Sequence, residues 1–157
     1  MQLFVMRHGQ ATSFGDSDAE RTLTKQGFDE VARMGQWLVD NDYHIEKILV
    51  SPYVRAQQTA KQITTQLSKQ PLLKTVDFIT PEGNAKQAHD YIDGALTSEP
   101  IEHLLIVSHM PFVSYLLAEL TSNANAPIFQ TAAIAHIDYD TQLMKGRLVQ
   151  MISPNEL

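Results

Sequence analysis

Apolar and polar positions along this chain fall into blocks of two kinds. Short, largely apolar runs at residues 3–6, 47–51 and 102–108 read as strands buried on both faces. Between them, apolar residues recur at helical spacing. Phe28, Val31, Ala32, Met34, Gly35, Leu38 and Val39 follow Thr24, a candidate N-cap, and residues 41–43 end that helix. Pro52 is predicted at the first position of a second helix, with Ala56, Thr59, Ala60, Ile63 and Leu67 on its inner face. A weaker strand pattern covers 72–79. A turn cluster follows at 80–84, then a helix over 85–96. Pro111 opens a helix over 112–120, and a polar connection spans 121–127. The last thirty residues read as strands 131–138 and 147–152 around a turn at 140–146. Such alternation predicts an α/β fold, a mostly parallel sheet with helices on both faces and an antiparallel edge. No repeat, low-complexity segment or linker interrupts it, so one domain over 1–157 is expected.

Composition narrows the function classes. With 43% hydrophobic and 19% charged residues in 157, the chain fits an ordinary globular protein with a sizeable core. A net charge of −6 argues against a nucleic-acid partner and against an anionic membrane surface. With no cysteine, disulfides and thiolate metal sites are excluded. The first apolar run stops at Arg7, too short for a signal sequence or a membrane span, so a cytoplasmic location is expected.

The chemistry gathers where strands end. The first runs into Arg7, His8 and Gly9, the second leads into Arg55, and the clearest one ends at His109. In a parallel sheet these ends share one rim, where ligands bind. Arginine can grip a phosphate or carboxylate by two parallel hydrogen bonds, and neutral histidine is a nucleophile near pH 7. Helices opening at Pro52 and Pro111 would aim their positive ends the same way. So much positive charge on a net-acidic chain points to an anionic ligand. The polar stretch 10–24 is longer than a connection needs, and binding loops are often built so.

Competing readings of single residues are blander. His44, His89, His103 and His136 read as surface or structural, and Trp37 as core. Ser51 and Ser108 lack the Gly-x-Ser-x-Gly setting of a serine hydrolase and read as strand-end caps or phosphate-side hydroxyls. Nucleotide-binding glycine motifs are absent. The acidic run 16–20 reads equally well as a solvated face or as part of the site.

Three motifs in order carry a resemblance: Arg7-His8-Gly9, the stretch from Ser51-Pro52 through Arg55 to Thr59-Ala60, and Ser108-His109. With Leu23-Thr24-Lys25-Gln26-Gly27 they resemble the histidine phosphatase superfamily, whose members share the phosphoglycerate mutase-like three-layer α/β/α sandwich. Asp18, Arg21 and the short length are similar to its SixA-like phosphohistidine phosphatase branch. The resemblance implies a metal-independent enzyme with no cofactor. His8 would carry the phosphoryl group, while Arg7, Arg55, His109 and Arg21 would bind phosphate. It further implies a phosphohistidine-bearing protein as substrate, such as a histidine phosphotransfer domain in signalling, and a monomeric enzyme. Two departures stand out: Gln10 replaces the glutamate that glycolytic members often carry after Arg-His-Gly, and Glu82, in about the region of the family's proton donor, lacks its surroundings, so that Glu82 and its rival Asp18 are both candidate general acids and the role is unassigned. The alternatives are a phosphatase or mutase for a small phosphorylated metabolite, and a non-catalytic phosphate-binding module.

Overall fold

The computed structural model describes residues 1–123 and 125–157. Among them the strands are β1 (Gln2–Arg7), β2 (Lys47–Val50), β3 (Leu72–Thr75), β4 (His103–Ser108), β5 (Ile134–Asp140) and β6 (Lys145–Ile152). The helices are α1 (Lys25–Asp40), α2 (Val54–Thr64), α3 (Ala85–Ser98) and α4 (Phe112–Thr121). One sheet has the order β3-β2-β4-β1-β5-β6, parallel from β3 to β1, with β5 and β6 forming the antiparallel edge.

The continuous apolar runs are explained by burial on both sides of the sheet. Leu3 and Val5 of β1 face one way, joining Leu49, Leu104 and Ile106 beneath Ala88 and Ile92 of α3 and Phe112 and Leu116 of α4. Phe4 and Met6 face the other way, joining Ile48, Val50 and Leu105 beneath Val31, Met34 and Trp37 of α1 and Ala56 and Ile63 of α2. Each such side chain stabilises the fold by about 1.5–3 kcal/mol relative to exposure. The result is the three-layer α/β/α sandwich.

Several boundaries differ from expectation. Pro52 is not the first residue of α2. The Ser51 hydroxyl accepts the Tyr53 N–H at 3.2 Å, which holds 51–53 in a turn, and the helix begins at Val54 with Tyr53 as its cap. Leu67 therefore lies beyond the end of α2. The strand expected over 72–79 stops at Thr75, because its partner Val50 is the last residue of β2. Val76 and Ile79 then turn into the core. Helix α3 runs two residues further than expected, to Ser98. The final hairpin is shifted: Asp140 pairs with Lys145, leaving a tight turn, while residues 131–133 stay outside the strand and Ala132 has φ 62°. The connection expected at 121–127 includes position 124, which lies outside the described residues. Among those described, no helix is long and apolar enough to cross a membrane.

One feature of the topology places the site. Strands β1 and β4 are neighbours, with Arg7 opposite Ser108, yet α1 leaves β1 toward one face and α4 leaves β4 toward the other. Where chains diverge like this, a crevice opens beyond the carboxyl ends of the strands.

Candidate active site

The sheet's hydrogen bonding carries past the end of β1 and fixes His8. Its N–H donates to the Ser108 carbonyl at 3.0 Å, and its carbonyl accepts from Ala132 N–H at 2.9 Å. The ring is 6% exposed and lies 5.1 Å, centroid to centroid, from His109 at the end of β4. His8 Nδ1 is 2.7 Å from the Gly9 carbonyl. A carbonyl only accepts, so Nδ1 holds the proton and Nε2 keeps a free lone pair. Arg55 agrees with this assignment, since its Nε–H donates to His8 Nε2 at 3.2 Å. Burial pushes the His8 pKa down to about 4, assisted by the charges of Arg55, Arg7 and Arg21 and opposed by the Gly9 hydrogen bond. The imidazole is therefore neutral at physiological pH.

Around Nε2 stand cationic and donor groups. Arg55, 4% exposed, donates from Nη1 to the Asp18 carbonyl at 2.6 Å and from Nη2 to Asp18 Oδ2 at 3.2 Å, with its guanidinium carbon 5.1 Å from the centre of the Tyr53 ring. Arg7 donates from Nη1 to the Phe129 carbonyl at 2.8 Å. Burial lowers the Arg7 pKa, Glu30 counters this, and Arg55 adds to it. His109 Nε2 lies 2.7 Å from Ser51 Oγ. Burial, then the charges of His8 and Arg55, lower the His109 pKa as well. Among the described residues, Arg7 Nε and His109 Nδ1 are two of four buried side-chain polar atoms with no hydrogen-bond partner. Unpaired buried polar atoms are costly, and two among these residues mark where a ligand supplies the missing partners.

The long loop 10–24 closes over this crevice and is pinched at its neck. Ala11 bridges Leu23, Thr12 N–H donates to the Thr22 carbonyl at 2.8 Å, and Thr24 N–H to the Gln10 carbonyl at 3.0 Å. The neck sits on the first turn of α1, which Thr24 caps by accepting the Gly27 N–H at 3.0 Å. A Cβ at Gly27 would lie 2.1 Å from the Gln10 carbonyl oxygen, so this contact requires glycine. Thr59 links the neck to α2, taking the Gly9 N–H at 3.2 Å and giving its own proton to the Arg55 carbonyl at 2.8 Å. A single 3₁₀ turn, Asp18–Glu20, forms the loop's far end. There Arg21 donates from Nε to the Thr12 carbonyl at 2.6 Å and pairs with Asp18 Oδ1 at 2.8 Å. Arg21, with Arg55, holds the Asp18 carboxyl below its ordinary pKa.

The expected residues are thus distributed unevenly. His8, Arg7, Arg55 and His109 converge, Asp18 reaches Arg55, and Arg21 joins through Asp18. Glu82 takes part in none of these contacts; it is exposed in the turn that opens α3. Ser108 faces away and ties β4 to the Ile79 carbonyl at 2.8 Å. Several supports carried no signal in the sequence: the Phe129 carbonyl under Arg7, the Tyr53 ring, and Glu30, which accepts from Gln10 N–H and the Thr131 hydroxyl. Ser51 was visible as a polar strand end, but its contact with His109 was not. Among the described residues no cluster of three or more histidines and carboxylates could hold a metal ion.

Comparison with known proteins agrees with this constellation. The family model of the histidine phosphatase superfamily (branch 1) matches residues 3–87. Phosphohistidine phosphatase SixA of Escherichia coli K12 is 39% identical over 140 residues, covering 89% of this chain and 86% of the relative. A SixA homologue of Haemophilus influenzae is 37% identical over 147 residues, covering 89% of each. A solved structure of the protein histidine phosphatase SixA complexed with tungstate superposes with a TM-score of 0.93 at 37% identity, over 99% of both chains. On the motifs, the fold and these relatives together, the chain belongs to the histidine phosphatase superfamily, within its SixA-like branch.

Proposed function

We propose that this protein is a phosphohistidine phosphatase that dephosphorylates histidine on a partner protein through a phosphohistidine formed on His8. The observation that carries the reading is the unprotonated Nε2 of His8, aligned by Arg55, in a site where Arg7 Nε and His109 Nδ1 are buried without partners. Nε2 attacks phosphorus, the substrate's P–N bond breaks, and the leaving imidazole takes up a proton. Arg7, Arg55 and His109 bind the equatorial oxygens, where charge is spread in the transition state, and Arg21 adds a cation from the loop. Water then cleaves the phosphoryl group from His8. Asp18, held as an anion by Arg21 and Arg55, has no proton to donate to the leaving group. Glu82 is the remaining candidate donor. Imidazole leaves phosphorus more readily than an alkoxide, which lessens the need for an acid.

The related SixA proteins are named as phosphohistidine phosphatases, and one of them binds tungstate, an oxyanion of phosphate's shape. These names support the assignment of substrate. The reading includes a monomeric cytoplasmic enzyme, needing no metal, whose partner is a phosphohistidine-bearing domain of a phosphorelay protein. A crevice closed by one modest loop can admit a side chain standing on a protein surface. The test is a comparison of kcat/KM. A phosphohistidine-bearing protein should exceed sugar phosphates and phosphoglycerates by at least about a hundredfold, or about 2.7 kcal/mol of transition-state binding. Equal values would shift the assignment to a metabolite phosphatase, and no turnover of either would leave a binding module.

A further inference from the structure

Ser51 follows directly on β2, tied to β4 by its N–H on the Val107 carbonyl, is wholly buried, and places its hydroxyl oxygen 2.7 Å from His109 Nε2. A hydroxyl has one proton to give and lone pairs to receive. One lone pair of Ser51 already receives the Tyr53 N–H at 3.2 Å. Two arrangements remain for the contact with His109. If Nε2 carried the proton, Ser51 would accept twice and its own buried proton would need another acceptor. His109 Nδ1 would then turn a lone pair toward the crevice and repel an oxyanion. If Ser51 donates, its hydroxyl is fully used, Nε2 is the acceptor, and the ring proton sits on Nδ1. That is the buried nitrogen left without a partner, on the ring 5.1 Å from that of His8. The edge of the Tyr53–His109 pair, with centroids 4.9 Å apart, keeps the imidazole from turning over.

We infer that Ser51 is a positioning residue that fixes His109 as the Nδ1–H tautomer, so that a donor and not a lone pair meets the phosphoryl oxygen. The inference rests on the reading of the crevice as a phosphate site. It also separates this serine from Ser108, which ends the neighbouring strand but turns its hydroxyl to the scaffold carbonyl of Ile79.

Long-range proton–nitrogen NMR of the histidine rings tests it directly. In the unsubstituted protein His109 should show a protonated Nδ1 and a bare Nε2. Ser51→Ala should mix or invert that pattern, weaken inhibition by vanadate about tenfold, and lower kcat/KM by about tenfold to a hundredfold, as loss of one aligned donor does. Ser51→Thr, which keeps the hydroxyl, should restore the tautomer and most of the vanadate affinity. A proton on Nε2 in the unsubstituted protein would overturn the inference, and that spectrum decides even if Ser51→Ala does not fold. So would an unchanged tautomer in Ser51→Ala together with vanadate inhibition within about twofold. Failure of the unsubstituted protein to bind vanadate or inorganic phosphate would instead overturn the phosphate-site reading.

Discussion

The Nε–H of Arg55 points at Nε2 of His8 across 3.2 Å, while the opposite ring nitrogen is tied to the Gly9 carbonyl. A nucleophile is thereby presented with its lone pair already facing a cation. The geometry dictates which nitrogen is phosphorylated. Labelled substrate, quenched without acid, should leave phosphate on Nε2 of His8 and none on Nδ1. His8→Ala should abolish labelling and turnover. Label on a serine or on an aspartate would sink the mechanism.

Neither Arg7 nor Arg55 should be replaceable by lysine. Arg7→Ala and Arg55→Ala should each lower kcat by about two to four orders of magnitude, the range for loss of a preorganised charge ligand. Lysine should rescue either poorly, since it cannot span two acceptors as the guanidinium does. At position 55 it would also lose at least part of the set of bonds to His8 and to the carbonyl and carboxylate of Asp18. Near-normal rates in Arg55→Lys would reduce Arg55 to a distant charge.

Asp18 occupies donors that an incoming phosphate needs. Its pair with Arg55 is partly exposed, with the carboxylate side chain 56% accessible, so its strength is on the order of 1 kcal/mol. Asp18→Asn should therefore tighten binding of inorganic phosphate by about threefold to tenfold, read by isothermal titration. Weaker binding would mean that Asp18 chiefly organises Arg21.

Stability should fall on mild acidification, and the sign follows from His8. Its folded pKa, about 4, lies below the ordinary value of 6.5. Above the ordinary value both states are neutral and nothing changes. Between the two values the unfolded chain takes up a proton that the native state refuses, so stability drops as pH falls through that window. From pH 7.5 to pH 5 the loss from His8 is on the order of 2 kcal/mol. His109 and His136, both lowered chiefly by burial, add in the same direction. Urea midpoints at the two pH values measure it, and a flat profile would contradict the neutral, buried assignment.

Two glycines give a paired test of packing. Gly27→Ala drives a methyl into the Gln10 carbonyl and should cost about 1–3 kcal/mol together with activity, because the loop neck must shift. Gly94, within α3, has nothing within 4 Å of an added Cβ. Gly94→Ala should stabilise by about 0.5–1 kcal/mol through helix propensity, with activity unchanged. Thermal melts of the two variants should move in opposite directions.

The layered fold was legible because both-face burial writes unbroken apolar runs, and the helices between them kept their period. The converging quartet was legible because parallel strands deliver their ends to one rim. What the sequence hid depended on backbone or on distant pairing. The Phe129 carbonyl beneath Arg7 belongs to a residue whose side chain reads as ordinary core. Thr75 ends β3 only because Val50 ends β2, a limit set by the partner strand and invisible in residues 72–79 themselves. Pro52 looked like a helix start until the Ser51 hydroxyl took the Tyr53 N–H. The bond from Ser51 to His109 joins residues 58 positions apart, beyond any local pattern.

The pinched neck of the loop has an evolutionary meaning. Because residues 10–12 and 22–24 are bonded to one another, the stretch between them leaves and re-enters the scaffold at nearly one point. Its tip around Phe14, which is 77% exposed and lies ahead of Asp18 and Arg21, can lengthen, shorten or change character without moving His8 or the first turn of α1. Natural variation in which macromolecule is served can thus accumulate in a detachable cassette while the reaction chemistry is inherited intact. A chimera carrying a foreign tip at residues 13–16, with Asp18 and Arg21 kept, would exchange clients and keep its catalyst.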